Sequence, residues 1–69
     1  LEWLEIPACK RADFDVVTFK IGKAVGHLGI VCNEGQHFLH VIEGANSVIE
    51  RLDSLRWESR IDGYWRFIG

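Results

Sequence analysis

Gly26-His27-Leu28-Gly29-Ile30-Val31, followed after a short turn by His37-Phe38-Leu39-His40, decides how this chain folds. Both stretches are apolar, and Ile and Val favour extended backbone. Between them, Asn33-Glu34-Gly35-Gln36 is turn material, with Gly35 able to take a positive φ. The pair reads as a β-hairpin with strands over 26–32 and 37–42. With Glu34-Gly35 at the centre of the turn, Asn33 faces Gln36, Val31 faces Phe38, Gly29 faces His40 and His27 faces Ile42. Side chains alternate across a strand, so His27, Gly29 and Val31 share a face with Phe38, His40 and Ile42. His27 and His40 become diagonal neighbours, about 7 to 8 Å apart by backbone position. Gly29 opposite His40 leaves room for a ring to lean across, and His37 points the other way, to the surface.

Leu28, Ile30, Cys32, Leu39 and Val41 form the second face, so both faces are largely apolar. A strand pair apolar on both sides needs something packed on each. The histidine face is expected to lack a cover within this chain. The patch around Val31, Phe38 and Ile42 is therefore expected to bind a partner or a second copy of the chain as a homodimer.

Outward from the hairpin, Val16–Ile21 alternates Val17, Phe19 and Ile21 with Thr18 and Lys20, the pattern of a strand. Gly22-Lys23 suits a turn into the hairpin. Gly44-Ala45-Asn46 makes another turn before a short strand over 47–50. Asp53 or Ser54 caps a short helix through about Arg60, on whose solvated face Glu50, Arg51, Asp53, Arg56, Glu58 and Arg60 would lie. Gly63 breaks the chain, and Tyr64–Ile68 is a last strand. Leu1 to Cys9, closed off by Pro7, reads as an irregular lead-in, and Lys10 to Asp13 as a polar turn. The expected fold is a single α+β domain over residues 1–69, a small antiparallel sheet of four to five strands with one short helix.

With 69 residues, 48% hydrophobic and 26% charged, the chain is globular in composition and small enough for marginal stability. A net charge of −2 offers no electrostatic attraction for nucleic acid or an anionic membrane. No apolar run approaches the roughly 18 to 20 residues of a membrane span, and no signal segment opens the chain. The expected location is cytoplasmic or virion-associated. The start at Leu1 rather than Met reads as a fragment or a processed product. Cys9 and Cys32 are too few for a disulfide scaffold and are expected to be reduced thiols.

The order of motifs resembles the NlpC-like cell-wall cysteine peptidases of papain-like fold, in the branch found as phage tail assembly proteins. In that family a strand begins with Gly-Asp and runs into apolar residues. Here Asp13-Phe14-Asp15-Val16-Val17-Thr18-Phe19 stands in that place, with Phe14 where glycine is usual. His27-Leu28-Gly29-Ile30-Val31 matches the family's His-Val-Gly-Ile-Tyr strand, and Phe38-Leu39-His40 its Phe-Ile-His. Leu52-Asp53-Ser54-Leu55-Arg56-Trp57 and Tyr64-Trp65-Arg66-Phe67 match the end of the phage branch. The resemblance runs from about Phe14 onward. It implies the C-terminal β half of the domain, with His27 as catalytic base and His40 as the residue that orients it. The implied parent activity is hydrolysis of cell-wall stem peptides, and the implied partners are those peptides or phage tail proteins. No cofactor is implied.

Thiol hydrolysis needs a thiolate, a base in hydrogen-bond reach, a group orienting the base and an oxyanion hole. The family's nucleophile sits upstream at the start of a helix in an Asp-Cys-Ser-Gly context, which these residues lack. Cys9 follows Pro7-Ala8 without a helix, and Cys32 falls on the face opposite His27. This truncated domain is therefore expected to be inactive alone. Three alternatives stand beside that reading. The histidines are half-buried structural residues, the domain is a non-catalytic interaction module in a tail or cell-wall assembly, or Cys9 is a relocated nucleophile on an N-terminal segment folded over the hairpin. A zinc site from His27, His40 and Cys32 is disfavoured by their opposed faces. Trp57, Tyr64, Trp65 and Phe67 read as core rather than a ligand platform.

Overall fold

The computed structural model describes residues 2–42, 44 and 46–69. The expectations that touch Leu1 and Ala45 lie, to that extent, outside the described residues. Six strands form one antiparallel sheet: β1 (Trp3–Ile6), β2 (Val16–Ile21), β3 (Ala24–Cys32), β4 (His37–Val41), β5 (Ser47–Arg51) and β6 (Ile61–Phe67). Their spatial order is β1-β6-β2-β3-β4-β5. Between them lie two 3-10 turns, Ala8–Lys10 and Glu58–Arg60. The domain is all-β, which corrects the α+β expectation in two places.

The first is the helix expected from Asp53 or Ser54 to Arg60. Leu52 and Trp57 are both buried. Residues five apart on an α-helix point roughly 140° away from each other, so a helix could not turn both into one core. The segment folds as successive turns instead. Ser54 O accepts from the backbone N–H groups of both Trp57 and Glu58, at 3.2 and 2.9 Å, and the winding goes no further than a 3-10 turn. The second is the lead-in, which is a strand. β1 pairs with β6 from Trp3↔Phe67 to Ile6↔Tyr64, burying Ile6 while Trp3 packs edge-on against Phe67. Pro7, with no N–H to donate, ends the strand. Gly63 does not break the chain but lies inside β6, opposite Thr18, where a Cβ would come within 3.2 Å of the Trp65 indole nitrogen.

The central hairpin has the register that its turn dictates. Val31 faces Phe38, Ile30 faces Leu39 and Cys32 faces His37. Glu34 and Gly35 have φ of 62° and 82°, and Gln36 N–H donates to Asn33 O, the geometry of a two-residue hairpin turn. Val31, Phe38 and His40 all point into the core with Val17, Phe19, Leu52, Trp57 and Tyr64. The histidine face is thus the covered one. The 52–60 segment lays Leu52 and Trp57 over it, and Val31 and Phe38 have no exposed surface. Of the patch expected to take a partner or a second copy, Val31 and Phe38 are buried and Ile42 is half-buried. The apolar surface left open is the reverse face, where Leu28, Leu39, Val41 and Ile49 are each 40–65% exposed.

Asp15 anchors the entry to β2. It is buried, its Oδ2 accepts the Ala12 N–H at 2.9 Å, and both carboxylate oxygens take bonds of 2.8 Å from the Arg66 guanidinium. Arg66 holds its carboxyl below the usual aspartate range, against the opposing pull of burial. Phe14, just before it, has a φ of +76° and a largely exposed ring. The position therefore keeps the left-handed backbone that glycine adopts freely.

Candidate functional site

β3 and β4 carry His27 and His40 onto the same face, and Gly29 lets them meet. A Cβ at Gly29 would stand 2.8 Å from the Phe38 ring and 3.5 Å from the His40 Cβ, so only glycine admits this approach. His27 Nε2 lies 2.8 Å from His40 Nδ1, with the rings nearly perpendicular. His40 Nε2 lies 2.6 Å from Glu50 Oε2. The same oxygen accepts the Trp57 indole N–H at 3.1 Å. The result is a linear relay, His27–His40–Glu50, closed at its far end by Trp57.

Burial differs along the relay. The His40 side chain has no exposed surface, that of Glu50 is 28% exposed, and His27 is half-buried. Trp57 stacks on His27 with centroids 5.2 Å apart and planes 20° from parallel, and meets His40 edge-on at 5.1 Å. Arg56 and Arg60 lie over the Trp57 ring at 5.0 and 5.9 Å. The His27 pKa is lowered, first by burial, then by the proximity of the His40 ring and of the Arg56 guanidinium, while Glu50 pulls the other way. A half-buried imidazole kept neutral is in the form that accepts a proton.

A cleft of about 620 Å3 reaches this pair. β3 is paired with β4 only from Ile30 to Cys32, while β4 continues along β5 to Val41↔Ser47. The cleft opens where the two strands part, lined by Val25 to Ile30 on one side and Leu39 to Val41 on the other. The reverse face is thereby continuous with His27.

Two other positions differ from expectation. Glu50 was expected among solvated charges on a helix face. It stands on β5 opposite Phe38, on the core side of the sheet. His37, expected at the surface, is half-buried, and its Nδ1 is buried without a hydrogen-bond partner among the described residues.

Both cysteines are free thiols. Cys32 stands opposite His37, and its parity along β3 puts it on the face away from His27. Burial and the Asp13 carboxylate push its thiol pKa up, the reverse of what a nucleophile needs. Cys9 is exposed in the turn after β1, and β6 and β2 lie between β1 and β3. The segment that follows it does touch the hairpin, but at the turn end. Arg11 Nε donates to Gly35 O at 2.6 Å, and Asp13 Oδ1 accepts the Gly35 N–H at 2.9 Å. His27 is toward the opposite end of β3.

Among the described residues no group of three or more His, Cys, Asp or Glu is arranged to hold a metal ion. No described helix is long and apolar enough to cross a membrane. No protein-family model, curated protein or solved structure matches this chain.

Proposed function

We propose that this chain carries the histidine half of an NlpC-like cysteine peptidase site of the phage tail type, whose parent reaction is hydrolysis of peptide bonds in cell-wall stem peptides. The observation that carries the reading is the 2.8 Å contact between His27 and a buried, carboxylate-bound His40. Thiol catalysis needs a base that is itself oriented by a further polar group. Phe14 at positive φ, directly before a buried Asp15, adds support where the resemblance expects Gly-Asp.

In the proposed chemistry His27 takes the proton of a thiol, the thiolate attacks the peptide carbonyl, and His27 returns the proton to the leaving amine. Water then hydrolyses the thioester with His27 again as base. Neither Cys9 nor Cys32 is placed to be that thiol. The proposed nucleophile is a cysteine at a helix N-terminus on a separate segment, entering through the cleft between β3 and β4. A cytoplasmic or virion-associated setting goes with the same reading.

The test mixes this chain with a polypeptide bearing an Asp-Cys-Ser-Gly helix and measures release of amines from stem peptides. Hydrolysis that disappears on His27→Ala and on changing that cysteine supports the reading. A stable complex of the two with no hydrolysis sinks it.

The reverse face favours a second reading, a non-catalytic interaction module. Leu28, Leu39, Val41 and Ile49 form an exposed apolar surface of the kind that marks interfaces. On this reading association, including a homodimer, survives His27→Ala and is lost in Val41→Glu, as sedimentation would show.

A further inference from the structure

The relay has two hydrogen bonds between its three side chains, and the proton in each must sit on one partner. Glu50 Oε2 faces His40 Nε2 at 2.6 Å and the Trp57 N–H at 3.1 Å. An ionised carboxylate only accepts, so the proton of the first bond is on His40 Nε2. A neutral imidazole carries a single N–H, which leaves His40 Nδ1 with a lone pair. The 2.8 Å contact with His27 then requires His27 Nε2 to donate. A neutral His27 is left with its lone pair on Nδ1, which makes no hydrogen bond among the described residues.

We propose that Glu50, acting through His40, makes Nδ1 the one basic nitrogen of His27, with Trp57 holding Glu50 and His27 in place. Glu50 and Trp57 are positioning residues, each in direct contact with the histidine pair. The inference rests on the reading of His27 as the base. The His40 side chain is wholly buried, with Phe38 4.5 Å away on one side and Trp57 on another. Leaving its Nε2–H without Glu50 would strand a buried donor. Trp57 touches every member of the relay: its N–H binds Glu50, its face lies on His27 and its ring packs against His40. One side chain thus ties the acceptor that sets the polarity to the ring whose polarity is set.

The test is nitrogen NMR on the uniformly 15N-labelled chain at a pH where both histidines are neutral. One-bond couplings show which nitrogen carries each proton, and a coupling across N–H···N links His27 Nε2 to His40 Nδ1. The expected spectrum has protons on His27 Nε2 and His40 Nε2, with His27 Nδ1 at an unprotonated shift. A proton on His40 Nδ1 overturns the proposal outright. In Glu50→Ala the His27 Nδ1 resonance should move toward its protonated position, because the bridging proton no longer has one preferred side. If that variant does not fold, Glu50→Leu fills the same space on β5 and serves instead. Glu50→Gln, which keeps a carbonyl acceptor, should hold the wild-type shift. A folded alanine or leucine variant with an unchanged Nδ1 shift overturns the role of Glu50, as does a glutamine variant that moves as far as alanine. None of these readouts involves hydrolysis. A failed peptidase assay with the expected couplings would remove the enzyme and leave the relay, and the opposite pattern would remove the relay alone.

Discussion

Trp57 lies flat against His27 while its indole N–H binds Glu50 on the far strand. A residue from the 52–60 segment therefore closes the core and braces the histidine pair at once. Removing it exposes Phe19 and Phe38, which it meets edge-on at 5.0 and 5.6 Å. Trp57→Ala should cost about 3 to 5 kcal/mol, a large share of the stability of so small a domain. Trp57→Phe keeps the stack and loses the N–H, and should cost about 1 to 2 kcal/mol. Urea unfolding of the three proteins measures both.

The depressed His27 pKa ties stability to pH. The unfolded chain binds a proton near the ordinary histidine value of about 6.5, whereas the folded chain binds it only at lower pH. The full contribution is therefore present above about pH 6.5 and is lost as pH falls through that value toward the folded pKa. One proton gives a slope of at most about 1.4 kcal/mol per pH unit, and partial exposure of the ring reduces it. His27→Gln should flatten this part of the curve in melts between pH 7.5 and 5.5, and an unchanged slope would place the proton uptake elsewhere.

Phe14 has a left-handed backbone and gains little burial in return. Phe14→Gly should stabilise the fold by up to about 1 kcal/mol, the relief of left-handed strain being partly offset by the greater freedom of glycine when unfolded. A lower Tm than wild type would mean that the ring makes contacts worth more than the strain.

The two thiols should react unequally. Cys9 is exposed, whereas Cys32 lies partly covered in β3 with its pKa raised. Iodoacetamide near neutral pH should label Cys9 first, with Cys32 following several-fold more slowly. Equal rates would show that the hairpin opens on the timescale of labelling.

Much of the hairpin was legible because its turn has an even number of residues. Asn33, Glu34 and Gly35 all take positive φ, and the tight turn carries the face assignment from β3 to β4 unchanged. The third member of the relay, Glu50, was hidden by the next connection. Val41 pairs with Ser47, which leaves five residues between them. An odd number shifts the parity that a two-residue turn would impose, and that puts Glu50 on the core side. A single glutamate beside Arg51 and Asp53 gives no composition signal of that. Likewise the charged 50–60 stretch has helical composition, and only the need to bury both Leu52 and Trp57 rules the helix out. β1 was missed because an edge strand with Ile6 alone buried has almost no apolar alternation to read.

The strand order also dictates when each part of the sheet can form. β2 to β5 follow one another as neighbours, so their pairings close short loops. β1 and β6 bring Trp3 to Phe67 and Glu2 to Gly69, joining segments from opposite ends of the chain. That closure carries the largest entropic cost in the molecule and is offset by the burial of Ile6 and Tyr64, the Trp3–Phe67 contact and the backbone bonds of Glu2 with Ile68 and Gly69. The meander should therefore be the folding nucleus, with the two terminal strands zipping onto it last and opening first.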